Sequence, residues 1–283
     1  MACLEIGALP NDYSDDISFE GVESLLMLKR PYGLKKVRFE YCTKIGDKAI
    51  QALSKRFGYC LEEFSIIRNY YEKAARISDE AFKYLQACYN LRKLEIVYSR
   101  KFDEKLALNL SETPFDKLIH LNLSSCPIQV SLEPLVYGCP HLEELDLSGD
   151  SWVKRQGILG IAKHPRLIVL HLGHFEHSDF NCSETISEHP PKAFFMAGLF
   201  DKPENFPCLK TLYLEANCSF TPLLEGLIQK ARPNLLIRVH HEKSLVGEAL
   251  VRNDEAENEV SVDNGQRYGI YENDDDDIDF RFM

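Results

Sequence analysis

Apolar and polar positions along this chain keep returning to one short phrase, apolar-x-x-apolar-x-apolar. It reads Leu34-Lys-Lys-Val37-Arg-Phe39, Leu61-Glu-Glu-Phe64-Ser-Ile66 and Leu91-Arg-Lys-Leu94-Glu-Ile96. It continues as Leu118-Ile-His-Leu121-Asn-Leu123, Leu142-Glu-Glu-Leu145-Asp-Leu147, Leu167-Ile-Val-Leu170-His-Leu172 and Leu209-Lys-Thr-Leu212-Tyr-Leu214. Successive phrases begin 27, 30, 27, 24, 25 and 42 residues apart. The alternation inside each phrase places one set of side chains in a core and the other set in solvent, as a short strand requires. After the phrase the period changes. Ile45, Ile50 and Leu53, and likewise Phe82 and Leu85, recur at helical spacing. Each unit is therefore expected to be a strand followed by an amphipathic helix on the same core. Asp47 and Asp79 stand just before their helical runs, where a carboxylate caps free backbone N–H groups, so we read them as caps and not as catalytic groups.

A period of roughly 20–29 residues built on such a phrase marks leucine-rich repeats. The expected fold class is α/β: a leucine-rich-repeat solenoid, or horseshoe, with parallel strands on the concave face and helices on the convex face. Asn234-Leu-Leu-Ile237-Arg-Val239 supplies a degenerate last unit, and Met1-Ala-Cys-Leu4-Glu-Ile6 fits the phrase 33 residues before Leu34. That predicts about eight to nine repeats over residues 1–250. An array that opens inside a repeat exposes its core and a strand edge. We therefore expect a fragment, a shortened isoform, or a first coil that docks something.

The composition fits one elongated domain. The chain has 283 residues, 45% of them hydrophobic, which is ample for a core. There is no basic, apolar signal sequence at the start and no apolar run of about 18 residues. A cytoplasmic and/or nuclear protein is expected, with no membrane contact. The placement of the nine cysteines agrees. Cys42 and Cys126 take the ninth position of their repeats, which turns inward after the strand. Cys60, Cys88, Cys139 and Cys208 sit at the junction before a repeat begins. All six are expected to be buried, reduced thiols. Net charge is −11, and residues 251–283 hold eleven acids against three arginines, leaving −3 for the body. Nothing marks a nucleic-acid patch.

Two stretches carry a fuller signature. One runs from Leu34 through Cys42, Ile45, Asp47, Ile50 and Leu53. The other runs Ile77-Ser-Asp79 through Phe82, Leu85, Cys88 and Leu91 to Ile96, and Cys139-Pro-His-Leu142 repeats its junction. This pattern resembles the cysteine-containing class of leucine-rich repeats over roughly Leu34 to Val239. It is similar to the repeat half of F-box/leucine-rich-repeat proteins, the substrate receptors of cullin–RING ubiquitin ligases. The resemblance implies substrate recognition through the concave face. An F-box itself is not found. Leu9-Pro10 resembles an F-box opening, but the apolar pattern after it departs. A cullin or Skp-type adaptor would be reached through sequence not present here.

The outward residues of the phrase, its third and fifth letters, define the candidate partner-binding face on an arc of about 40 Å. They are Lys36 and Arg38, Glu63, Lys93 and Glu95, His120 and Asn122, Glu144 and Asp146, His171, and Tyr213, with Ser65, Val169 and Thr211 completing the row. The first of these coils is basic and the fifth acidic, so a protein partner needs charges arranged along the arc. Arg38 and Tyr213 fit hot-spot composition best.

Two irregularities interrupt the array. Residues 174–207 form an insertion in which His189-Pro-Pro-Lys-Ala-Phe-Phe-Met-Ala-Gly-Leu-Phe200 predicts a proline-opened helix, expected either on the convex side of an ordinary repeat or in a protruding loop that contacts a partner. Residues 68–76 lengthen the second repeat. His171, His174, His177, Cys182 and His189 cluster in the long gap, but without a Cys-x-x-Cys pair they are not assigned as metal ligands. Residues 251–283 leave the repeat pattern as an acidic tail expected to be disordered. No nucleophile elbow, phosphate loop, metal-protease helix or kinase signature occurs, so no cofactor and no catalysis are expected. The alternative to a ligase receptor is a stand-alone scaffold, or a nuclear acidic-tailed binder of basic proteins such as histones.

Overall fold

The computed structural model describes residues 2–7, 21, 33–42, 44–67, 77–97, 115–126, 131–149, 155–173, 198–202, 204–215 and 221–240. The chain divides into two units, Met1–Ser244 and Leu245–Met283, and every described residue belongs to the first. The expected tail, residues 68–76 and residues 174–197 of the insertion lie outside the described residues.

Among the described residues, nine strands form one sheet in chain order, every neighbouring pair parallel. They are β1 Ala2–Gly7, β2 Leu34–Glu40, β3 Glu63–Ile67, β4 Lys93–Val97 and β5 His120–Asn122. β6 Glu144–Leu147, β7 Val169–Leu172, β8 Thr211–Glu215 and β9 Leu236–His240 complete the sheet. The register is that of the repeated phrase. Its fourth letters Val37, Phe64, Leu94, Leu121, Leu145, Leu170, Leu212 and Ile237 stand side by side from β2 to β9. A slip of one residue would turn every one of them to solvent, so burial of one face locks the pairing.

Among the described residues, helices link β2 to β3, β3 to β4, β5 to β6, β6 to β7 and β8 to β9: α1 Asp47–Phe57, α2 Asp79–Gln86, α3 Glu133–Gly138, α4 Arg155–Ile161 and α5 Thr221–Ala231. Ile50, Leu53, Phe82, Leu85, Leu135, Ile158 and Ile228 from these helices are buried in the same core as the inward strand residues. The core thus lies between sheet and helices, and α1 packs on α2 as α3 packs on α4. One unit repeated along a parallel sheet makes this an α/β leucine-rich-repeat solenoid. Among the described residues, no helix is long and apolar enough to cross a membrane.

Asp47 does not cap its own helix. Gly46 is the N-cap of α1, and Asp47 is the first helical residue. Its carboxylate reaches the next repeat, accepting from the Ser78 backbone N–H at 2.9 Å and from the Ser78 hydroxyl at 2.7 Å. Ser78 in turn caps α2 by accepting from the Glu80 N–H at 3.3 Å. A side chain at the first helical position projects beside the helix start. In a stack, that is where the next helix begins.

The cysteines also divide. Cys42, Cys88, Cys126 and Cys139 are buried, whereas Cys60 is half-buried and Cys208 exposed. Cys88 and Cys139 stand three residues before the phrase, a position that points inward and is filled elsewhere by buried Phe115, His164 and Phe206. Cys60 and Cys208 stand one residue before it, next to an inward leucine, and alternation turns them out. Cys126 donates its S–H to the Ile96 carbonyl of the preceding repeat at 3.1 Å. Just before the ninth position the chain turns with positive φ, at Tyr41, Ser125 and Gly149. Gly149 is needed twice over, since a Cβ there would also lie 2.1 Å from the Ser125 Oγ.

The described end of the insertion serves the core. Residues 198–201 form a helical turn, and Leu199, Phe200 and Phe206 are buried, the two phenyl rings stacked 5.2 Å apart. Arg232 at the end of α5 holds this segment. It donates to the carbonyls of Phe200 at 2.8 Å, Phe206 at 2.9 Å and Lys202 at 3.1 Å, and to that of Asn205. Buried Asn205 closes the turn by donating to the Leu199 carbonyl at 2.9 Å.

Candidate partner-binding face

Helices cover one side of the sheet, so the third and fifth letters of each phrase form its open face. The structure brings all eleven candidate residues together there, in register across β2 to β8. They do not play one role. The face divides at β6.

From β2 to β6 the charges satisfy one another, Asp146 excepted. Lys36 pairs with Glu63 at 2.6 Å and Lys93 with Glu95 at 2.9 Å. Arg38 donates from Nε to Glu40 at 2.6 Å and approaches Glu95 at 3.8 Å, so this candidate hot spot is held within the protein. Ser65 donates to Glu95, whose side chain is only 12% exposed. His120 lies between two carboxylates, its Nδ1 3.0 Å from Glu144 and its Nε2 3.6 Å from Glu95. The His171 Nε2 approaches the other oxygen of Glu144 at 3.4 Å. Neither Nε2 makes a hydrogen bond at these longer distances.

The ionisation of this cluster follows from its geometry. Burial works against a charged His120, but Glu144 and Glu95 outweigh it and push the imidazole up to about 9. Burial likewise works against a charged Glu95. The nearby His120 and the contacts from Ser65 and Lys93 overcome it and bring the carboxyl down to about 2. Glu144 is held well below the usual carboxylate range, first by His120 and then by His171. The Glu95–His120–Glu144 row is therefore an alternating minus–plus–minus line at neutral pH.

Asn122 and Asp146 have local work as well. Each side chain turns back on its own strand end, Asn122 Oδ1 accepting from the Ser124 N–H at 2.8 Å and Asp146 Oδ1 from the Ser148 N–H at 2.9 Å. These are Asx turns that help the chain leave the strand.

From β7 to β9 the character changes. The third letters become Val169, Thr211 and Leu236, all uncharged, and Leu236 is 48% exposed. On the fifth letters, the His171 and Tyr213 rings stack at 4.1 Å with planes 4° apart. The Arg238 guanidinium lies 5.8 Å from the Tyr213 ring centre, within cation–π range. Sequence reasoning missed Arg238 and Leu236. Their signal was present in the degenerate last phrase, whose outward letters they are.

Of the histidine-rich group in the long gap, only His171 falls among the described residues, and its ring is taken up by Glu144 and Tyr213. Among the described residues no three His, Cys, Asp or Glu side chains are grouped to hold a metal ion.

No family model matches this chain, and no curated protein matches it. Among solved structures it is similar to the leucine-rich repeat-containing protein LegL7 from Legionella pneumophila. That chain is 14% identical, with 86% of this chain and 84% of that one covered and a TM-score of 0.44. It is also similar to a chain of the TLR13–ssRNA13 complex, at 18% identity and a TM-score of 0.44, over 80% of this chain and 27% of that one. The repeat fold assigned above stands on the chain's own parallel register and the helices behind it.

Proposed function

We propose that this chain is a non-enzymatic protein-binding scaffold whose partner lies across the open face, centred on β7 to β9. One observation carries the reading. Where the rest of the face is filled by its own ion pairs, this end presents the His171–Tyr213 stack beside an uncharged row ending in exposed Leu236. Aromatic side chains next to apolar surface dominate the energetics of protein interfaces, whereas charges already paired contribute little on binding. Crosslinking the intact protein in extracts of its native cells, followed by mass spectrometry, tests this. Partners captured by the parent chain should be lost with Tyr213→Ala and kept with Lys36→Ala. Equal capture by both variants would move the site elsewhere.

Within that reading, substrate recognition for a cullin–RING ubiquitin ligase is supported by the resemblance of the Cys and Ile-x-Asp repeats to the repeat half of F-box proteins. A cullin or Skp-type adaptor should then co-purify with the intact protein. Tyr213-dependent partners without either would mark a stand-alone scaffold. Eleven acids in residues 251–283 favour basic proteins such as histones as an alternative partner class. In that case, loss of residues 274–283 should abolish capture. The six free thiols among the described residues support a reducing compartment, the cytoplasm or the nucleus, which cell fractionation tests.

A further inference from the structure

We propose that the partner offers an extended segment with a basic and an acidic side chain four residues apart and an apolar one midway, laid across β6 to β9. This rests on the open-face reading above and names the chemistry of its occupant.

The fifth letters of four adjacent strands stand in line. Asp146 pairs in register with His171, His171 with Tyr213, and Tyr213 with Arg238. The two ends of this line differ from the other charges of the face. Asp146 accepts one backbone hydrogen bond, and among the described residues no cation pairs with it. Arg238 is exposed, and among the described residues it contacts the Tyr213 ring and pairs with no carboxylate. By contrast Lys36, Arg38, Lys93 and His120 all face carboxylates. Among the described residues the aromatic stack is therefore flanked by one uncompensated anion and one uncompensated cation. Complementarity asks for the opposite pair in the partner.

The spacing selects its conformation. Three strand separations of about 4.8 Å place the ends roughly 14 Å apart. An extended chain advancing about 3.4 Å per residue covers this in four residues. Residues i, i+2 and i+4 then share one face, so the charges meet Asp146 and Arg238 while the middle side chain lands on the His171–Tyr213 stack. A helix, rising 1.5 Å per residue, needs about nine residues for the same span, which puts its two charges on opposite sides.

Fluorescein-labelled peptides with Lys, Leu and Glu at alternate positions and Ser between them serve as probes. Matched Lys–Leu–Lys and Glu–Leu–Glu peptides are the comparison, read by fluorescence anisotropy on the intact chain at low salt. We expect the mixed-charge peptide to bind about threefold tighter than either like-charged one, the scale of exposed ion pairs. Asp146→Asn keeps the acceptor for the Ser148 N–H but removes the charge, so the advantage over Glu–Leu–Glu should vanish. Arg238→Glu should move the preference to Lys–Leu–Lys. Circular dichroism confirms that the variants are folded. Peptide binding that Tyr213→Ala weakens, with a charge preference that neither variant moves, overturns this proposal and leaves the open-face reading intact. Binding indifferent to Tyr213→Ala overturns both. A failure of every peptide to bind overturns the extended segment alone, provided that intact partners are still captured through Tyr213.

Discussion

Between Glu95 and Glu144, at 3.6 and 3.0 Å, the His120 imidazole is held as a cation. Its folded value of about 9 lies above the ordinary 6.5, so the fold favours the protonated form. The resulting stabilisation is whole below pH 6.5 and is lost as pH rises through about 9. Glu95, lowered from 4.5 to about 2, works in the opposite direction: its share is whole above pH 4.5 and is lost as pH falls toward 2. Both describe one cluster, so the two shares are not summed. Glu144→Gln removes the anion facing both His120 and His171. The His120 titration, followed by imidazole NMR, should move down toward its ordinary value, and the loss of stability between pH 6.5 and 9 should flatten. An unmoved titration would mean that Glu144 does not hold the ring.

Buried His164 behaves in the opposite sense. Its Nδ1 accepts from the Arg166 N–H at 3.3 Å, which leaves the proton on Nε2 to donate to the Cys139 carbonyl at 3.0 Å. Burial, foremost, lowers its pKa and keeps it neutral, so native stability falls as pH drops below the ordinary 6.5. His164→Cys places here the residue that its structural equivalents Cys88 and Cys139 carry. At pH 7.5 it should cost about 1–3 kcal/mol, because the Cys139 carbonyl loses its donor. Urea denaturation at pH 5 should show a smaller penalty. At this scale the sequence was legible for which side of a strand each residue occupies. That Arg38 is spent on Glu40 and Glu95 was not legible, because its partners lie on the same side of its own strand and two strands away.

Helices are joined to helices by single side chains. Asp47 ties the start of α1 to that of α2 through two hydrogen bonds to Ser78. Asp47→Ala should lower stability by about 1–2 kcal/mol in urea denaturation, and Ser78→Ala should cost less in that background than alone, keeping only the share of its own cap on α2. Full additivity would show that the two act separately. Arg232 ties α5 to the segment around Phe206 through four carbonyls. Arg232→Lys cannot reproduce a planar donor fork, so it should destabilise nearly as much as Arg232→Ala, by roughly 2–3 kcal/mol. Hydrogen exchange should rise first at residues 198–206. The Ile-x-Asp motif announced a helix start, yet whether its carboxylate served its own helix or the next was decided by how closely the helices stack.

Across the whole array each repeat rests on its two neighbours, so damage spreads from its source. Leu145→Ala, at a fully buried position of β6, should cost about 2–5 kcal/mol through the cavity it leaves. Amide exchange should accelerate in β5 to β7 before β2 or β9. Uniform acceleration along all strands would mean that the array unfolds as one unit. The same linear design explains the two-part face. Each strand contributes one outward pair, so a change in composition from β6 to β7 becomes a boundary across the surface.

The repeated phrase by itself determined the strands, their parallel register, the helices behind them and the side of the sheet that each residue would occupy. It could do so because alternation and helical spacing are local, and because burial of one face tolerates no slip. Tertiary structure alone decided which outward residues remain to meet a partner. Pairing Lys36 with Glu63, clamping His120 between acids and stacking His171 on Tyr213 depend on neighbours 24 to 42 residues away, brought within reach only when the repeats stack. Eleven equivalent candidates in the sequence thus became a largely self-neutralised region and, at β7 and β8, a stacked aromatic pair.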